Sequence, residues 1–496
     1  MTAHVEIRRG AYRDSVSLLQ TSEALAAVPG VSAAIVAMAT PLNLDLYARL
    51  GFDPAAVAEA TTNDLLVAVR GEDDSAIATA IAKLDALLTA KPAASGGTAD
   101  VPAPRTVGSA LRAGGSLTLI SLPGQHAFVE AMDAVRAGVS VMLFSDNVSV
   151  EQEIALKDEA DRHGVLVMGP DCGTAVMGGL GLGFANALRP GPVGIVAASG
   201  TGAQQVSCLL DDAGVGVTAV LGTGGRDLSK AVGGRATLAA MHALDKHAGT
   251  ELVVVLSKPP DPAVAERIRE AAAALDTPAL VAFVGRGQRD LTAATEQVLA
   301  ALGAPHEPPS SWPAPYDRAP RPGFIRGLFS GGTLCDESMA IASAALGPIA
   351  SNTPLDPAWV LGADLRSSGH LMIDFGDDQL TQGRAHPMID PSLRVERIAD
   401  EAADPSCAVL LIDIVLGYGS HADPATVFAP ALARARERAA ADGRDLAVVV
   451  SLVGSRSDPQ DRDATARALA EAGASVHLSN AAATRAAVEL IEGAQR

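Results

Sequence analysis

One strand–turn–helix signature occurs twice in this chain, and it restricts the fold more than any other feature. Gly194-Ile-Val-Ala-Ala198 is apolar without alternation, as a parallel strand covered on both faces is. Ser199-Gly200-Thr201-Gly202 follows with hydroxyls and no bulk, and Val206, Leu209, Leu210 and Ala213 then recur at helical spacing. Such a turn aims free backbone N–H groups and the positive end of a helix dipole at one point, a ready place for an anion. Phe324 to Phe329 runs in the same way into Ser330-Gly331-Gly332-Thr333, with Leu334, Met339 and Ile341 on the apolar side of the next helix. Taken singly, each turn also reads as an ordinary capped helix in an α/β sheet. As a pair they are expected to face each other across one anion. Ser199, Gly200, Thr201, Ser330, Gly331, Gly332 and Thr333 are then its phosphate or anion ligands.

The rest of the composition agrees with layered α/β packing. The chain has 496 residues, is 48% hydrophobic and only 3% aromatic, and is rich in Gly and Ala, which let helices lie close to a sheet. A net charge of −19 argues against nucleic acid as a partner, so any phosphate site must be local. Cys172, Cys208, Cys335 and Cys407 lie far apart without CxxC pairing, so neither a zinc site nor a disulfide framework is indicated. No metal is expected. Without a leader or an apolar run of membrane length, a cytoplasmic protein is expected, with no membrane partner.

Taken in order, residues 1–90 read as an α+β unit, β-α-β-(α)-β-α, which suggests a ferredoxin-like sandwich, with Asp14 capping its first helix. Residues 91–105 read as a flexible linker. Residues 106–189 alternate strand and helix, giving a parallel sheet with ligand turns at the strand C-terminal ends. Residues 190–303 form the next βα domain. Its strands end in the Ser199 turn, in Gly222-Thr-Gly224-Gly225-Arg226-Asp227, in Ser257-Lys258 and in Gly285-Arg286-Gly287. Gly224 and Gly225 permit close backbone approach to an anion, and Arg226 and Arg286 are candidate ligands for it. The alternative for Arg226 is a tight turn with a solvated side chain. Ala304 to Gly323 holds seven prolines, so 304–322 reads as a linker. Residues 323–496 form a last βα domain with strands near 325–329, 371–375, 408–414, 446–452 and 475–478. Two polar clusters mark it, His370 to Asp378 and Gly383 to Pro391, and the second holds Arg384 and His386. A polar loop with Asp caps is the alternative there.

From about residue 106 onward these residues resemble the FdrA family, relatives of succinyl-CoA synthetase. Val139 to Gly173 is similar to the late part of the ligase α-subunit's CoA-binding domain. Gly194 to Thr201 and Gly222 to Asp227 resemble the start of that subunit's second domain, and 323–496 resembles the β-subunit's C-terminal domain. Gly383-Arg-Ala-His-Pro-Met-Ile-Asp-Pro391 points to FdrA itself. The resemblance implies a Rossmann-like CoA-binding-type domain and two flavodoxin-like domains, with the two Ser-Gly turns in the place that clasps the ligases' phosphohistidine.

This chain departs from the ligases at three points. Gly285-Arg286-Gly287 stands where they carry the histidine, no Gly-rich CoA loop precedes Leu117, and no residues remain for an ATP-grasp domain. What the resemblance implies is therefore a subunit of an oxamate or oxalurate carbamoyltransferase complex in allantoin catabolism. It would bind phosphate or carbamoyl phosphate, with Arg226, Arg286 and Arg384 on substrate anions and His386 as an acid or base. Other subunits of that complex are the expected partners, and a homo-oligomer is expected. One rival is an acyl-CoA ligase subunit that uses CoA and borrows a separate ATP-grasp subunit. The other is a non-catalytic scaffold or regulator.

Overall fold

The computed structural model describes residues 2–492 except 12, 14, 90–103, 105, 315–318 and 382–383. The expected cap Asp14 and nearly all of the 91–105 linker lie outside the described residues. Two compact units result, one of residues 1–103 with 377–390 and one of 104–376 with 391–496.

In the first unit, β1 (Thr2–Arg8), β2 (Val31–Met38) and β3 (Leu65–Gly71) form an antiparallel sheet in the order β1-β3-β2. The central β3 is apolar on both faces, which dictates two layers around it. Leu65, Val67 and Val69 pack with Leu18, Leu25 and Leu84 of the helices Ser15–Ala26 and Asp74–Thr89. Leu66 and Ala68 pack on the other face with Tyr47, Phe52 and Val57. The build is the ferredoxin-like one expected, with three described strands and a short helix, Pro41–Arg49, covering the second face.

The second unit holds three sheets. β4 (Leu117–Ile120), β5 (Ser140–Leu143) and β6 (Val167–Met168) run parallel in the order β4-β5-β6. They pack on the helices Gly124–Arg136 and Val150–His163 through Ile120, Ala131, Leu143 and Leu156. Next come β7 (Thr174–Met177) and β8 (Leu180–Gly183), a hairpin turned by Gly178 and Gly179, whose φ values of 57° and 78° suit a two-residue primed turn. The hairpin belongs to the following sheet, where β7 pairs antiparallel with the strand Val217–Gly222.

That sheet contains β9 (Pro190–Ala198), β10 (Val217–Gly222), β11 (Leu252–Ser257) and β12 (Ala279–Phe283), in the order β12-β11-β9-β10-β7-β8. The third sheet contains β13 (Ser311–Trp312), β14 (Phe324–Phe329), β15 (Leu371–Asp374), β16 (Cys407–Val415), β17 (Ala447–Val453) and β18 (Ser475–His477), in the order β13-β18-β17-β16-β14-β15. Among its parallel strands the second, first, third, fourth and fifth in sequence lie side by side, the flavodoxin-like order, and β10-β9-β11-β12 begins the same series. Within the proline-rich stretch expected as a linker, β13 pairs antiparallel with β18. Among the described residues no helix is long and apolar enough to cross a membrane.

Candidate functional site

In a flavodoxin-like sheet the connections leave opposite faces after the first and third parallel strands. The crevice between their C-terminal ends is where ligands bind. Both Ser-Gly turns occupy that position, one after β9 and one after β14, and the unit brings them together. The Ser199 hydroxyl donates to Thr333 Oγ1 at 2.7 Å, with both residues buried. Their glycines are needed for this approach. A Cβ on Gly331 would lie 2.7 to 2.9 Å from Thr201 side-chain atoms, and one on Gly202 would lie 3.0 Å from Thr333.

The two turns are capped differently. Ser199 caps its own helix, Gly200–Asp212, by accepting from the Gly202 N–H at 3.1 Å. Gly331 caps Gly332–Leu346 and brings no side chain to do so. Asp413, fully buried at the end of β16, fills the role instead. It accepts from Ser330 N at 2.7 Å, Gly331 N at 2.8 Å and the Ser330 hydroxyl at 3.0 Å, and it pairs with Arg394 at 2.8 Å. The sequence expectation is corrected here: Ser330 and the Gly331 amide already hold an internal carboxylate. Charge-assisted bonds of about 1.5–3 kcal/mol each keep it there against a dissolved anion. The N–H groups of Gly200, Thr201, Gly332 and Thr333 donate to no protein group among the described residues.

Beside Gly332 stands Lys258, just past the end of β11. Its Nζ lies 2.6 Å from where a Cβ of Gly332 would be, and Asp374 Oδ2 lies equally close to that point. Burial opposes the ammonium's charge, but Asp336, Asp374 and Asp171 outweigh it and hold Lys258 protonated well into the basic range. Asp374 ends β15 and is fixed by Asn352, which accepts from its N–H and donates to its carbonyl, each at 2.9 Å. Burial pushes the Asp336 carboxyl up, against the pull of Lys258. It pushes the Cys335 thiol well above its ordinary range, with Asp374 adding to the effect, so that thiol is inert although it sits in a helix first turn. The sequence places Lys258 and Asp413 at strand ends where a ligand is met, without a role for either, and does not single out Asp336. Their signal was their place at the ends of parallel strands or in the first turn after one.

The other expected residues lie elsewhere. Gly224 packs its backbone on the Pro170 carbonyl, where a Cβ would stand at 2.2 Å, and Gly225 adjoins Asp171. Arg226 donates to the Val148 carbonyl at 2.7 Å and pairs with Glu153 at 3.1 Å. Glu153 in turn holds buried Lys157 at 2.7 Å, which also binds Asp227 at 2.8 Å. The glycine turn is thus a joint between the β4–β6 sheet and the β9–β12 sheet, and Arg226 is tied into it. Arg286 is exposed at the end of β12, its guanidinium 4.4 Å over the Trp359 ring. Arg384 and His386 fall in 377–390, which clusters with the N-terminal unit and not with the paired turns. There His386 Nδ1 accepts from Met388 N at 3.3 Å. Among the described residues no cluster of His, Cys, Asp and Glu is arranged to hold a metal ion.

The paired flavodoxin-like domains carry Ser-Gly turns at both switch points, and the second of them, residues 328–490, matches the family described as CoA-ligase. Residues 1–104 match "AllF, heavy metal-associated domain". The chain is 38% identical over 494 residues to "Uncharacterized protein YahF" of Escherichia coli K12, covering 95% of each. It belongs to that family, the FdrA-like proteins related to acyl-CoA synthetases. It is also 31% identical over 130 residues to a succinate–CoA ligase α-subunit of Archaeoglobus fulgidus, which is 25% of this chain and 45% of that one. Among solved structures, the apo acetyl-coenzyme A synthetase 1 of Ca. Korarchaeum cryptofilum matches at 16% identity over 77% of this chain and 83% of its own, with a TM-score of 0.29.

The heavy metal-associated description prompts a test of donor chemistry. Soft metals are selected by thiolate and thioether ligands. The four cysteines begin at Cys172, so residues 1–104 contain none and offer no thiolate to such a metal.

Proposed function

We propose that this acyl-CoA-synthetase-related protein is the phosphate-holding subunit of a carbamoyltransferase complex in allantoin catabolism. Carbamoyl phosphate or phosphate would sit against the Gly200, Thr201, Gly332 and Thr333 amides with the Lys258 ammonium beside it. The observation that carries this reading is the meeting of two helix starts with four uncommitted N–H donors, and the half-buried Lys258 ammonium beside one of them, Gly332. The reaction class moves a carbamoyl group between an amide nitrogen and phosphate. In the phosphorolytic direction the C–N bond breaks, a C–O bond to phosphate forms, and the phosphate's proton passes to the leaving nitrogen. Amide donors and Lys258 supply positioning and charge stabilisation for such a transfer. Arg226, Arg384 and His386 are given no step. Four unpaired buried thiols suit a reducing, cytoplasmic setting.

The CoA-ligase match and the α-subunit relative favour a second reading, a ligase subunit working with an ATP-grasp partner. Its thioester chemistry runs through a phosphohistidine, and the Gly285-Arg286-Gly287 turn offers no imidazole to carry it. Thermal stabilisation of the whole chain separates the two. Ligand at a hundred times its Kd stabilises by about 2.7 kcal/mol. A rise in Tm with carbamoyl phosphate or phosphate that Lys258→Ala abolishes is expected. A rise with CoA alone would transfer the assignment to the ligase reading.

A further inference from the structure

A cleft of about 400 Å³ opens at the ends of β11 and β12, lined by Pro259, Pro260, Phe283, Leu355 and two arginines, Arg269 and Arg286. Its size is that of a small-molecule site, and its walls are apolar apart from the few polar groups such sites use for orientation. Both guanidiniums lie on aromatic rings, Arg269 at 5.3 Å over Phe283 and Arg286 at 4.4 Å over Trp359. A stacked guanidinium spends its face on the ring and keeps its edge N–H donors for a planar, bidentate partner.

The two arginines differ in one respect. Arg269 is engaged by Glu266 at 3.2 Å. Arg286 makes no hydrogen bond or ion pair among the described residues, although the chain carries a net charge of −19. Its guanidinium lines an apolar cleft. It also stands between Gly285 and Gly287, whose φ values of 150° and 70° favour glycine and give the backbone around Arg286 freedom to turn.

The geometry points to a second anion site here: the cleft binds a small organic carboxylate, with Arg286 leaving the Trp359 face to hold the carboxylate edge-on. The apolar walls take the ligand's short uncharged body. Inorganic phosphate, which has no such body, is not its ligand. The site rests on Arg286, Trp359 and the cleft alone, and it stands whether or not the paired helix starts hold phosphate.

Trp359 reports on it directly, because Trp312 is the other tryptophan of the chain. In full-length Trp312→Phe protein, Trp359 fluorescence is titrated with propionate, malonate and succinate, and with propionamide and inorganic phosphate. A saturable change with at least one carboxylate and none with propionamide or phosphate is expected. Arg286→Gln should weaken it about tenfold or more, equivalent to 1.4 kcal/mol, while Lys258→Ala leaves it in place. No carboxylate response, an equal response to phosphate, or a response unchanged in Arg286→Gln overturns the assignment. In the unsubstituted chain, modification of Arg286 by phenylglyoxal, read by peptide mass spectrometry, should be slowed by the same carboxylates and by neither control. Equal labelling with and without carboxylate also overturns it.

Discussion

The two Ser-Gly turns look alike in sequence, yet they satisfy their helix starts in opposite ways. The Ser199 turn is self-contained: its own hydroxyl takes one orphan N–H, and the first helix then buries the uncharged amides of Gln204 and Gln205. The Ser330 turn is served from outside by Asp413, two strands' worth of sequence away, and its helix buries the carboxyls of Asp336 and Glu337. The start of the first helix therefore buries no charge, whereas the start of the second does. A site shared between them has donors from both sides but takes its electrostatics mainly from one. Lys258, from the first sheet, is the cation that answers those carboxyls across the junction.

The sharpest way to break this comparison is Asp413→Ala. It strands Arg394, buried at 2% exposure, and leaves the Ser330 and Gly331 amides unserved. Losing one partner of a buried ion pair costs about 3–5 kcal/mol. Urea unfolding should show a loss of that size, and Asp413→Asn, which keeps one acceptor oxygen, a smaller one. A loss under about 1 kcal/mol would mean that the second turn is as self-sufficient as the first.

Ser199→Ala tests the other turn. It removes the bond from Gly202 N and the bond to Thr333. An N-cap loss is worth about 1 kcal/mol, so the expected destabilisation is well below that of Asp413→Ala. Equal effects at the two positions would erase the distinction between a local cap and an imported one.

The outline of this contrast was legible in the chain, and its mechanism was not. Both turns and the strands of the last domain follow from apolar runs that stop at small hydroxyl-bearing residues, whereas the meeting of the two helix starts, across 134 residues of chain, is visible only in the fold. Local pattern carries the former alone. Asp413 reads from sequence as a strand-end residue placed to meet a ligand; that it serves an internal helix start is hidden because its partners Ser330, Gly331 and Arg394 are 19 to 83 residues away. Arg226 looked like an anion ligand because a Gly-rich turn with one arginine suits that chemistry, and nothing local reveals that Glu153 occupies it. The β7–β8 hairpin was missed for a different reason. Its strands are four residues long and follow a parallel βα series, so the Met177-Gly-Gly-Leu180 turn signal was submerged in the expected pattern.

The smallest effect at neutral pH, and the most selective, belongs to Glu337. It lies fully buried on the second helix, accepting from Leu291 N at 2.6 Å and Asn480 Nδ2 at 2.7 Å. Burial pushes its carboxyl up to about 7, against the pull of those two bonds. A raised folded-state value means the native protein binds a proton more tightly than the unfolded chain does. The stabilisation from Glu337 is therefore complete below its ordinary carboxylate range, near pH 4.5, and is lost as pH rises through about 7. Glu337→Gln cannot ionise, so it should flatten the fall in stability across that window. At pH 7 the net change stays within about 1 kcal/mol, because the relief from burying charge is offset by a weaker bond to Leu291 N. The first helix offers a built-in control. Gln205 already bonds as an amide, donating to the Leu478 carbonyl at 2.9 Å and accepting from Asn480 N at 3.1 Å, so Gln205→Ala should lower stability without changing its pH slope. Urea unfolding at pH 4.5 to 8 gives both slopes. If Gln205→Ala bends the profile as much as Glu337→Gln does, charge is not what separates the two halves of the clasp.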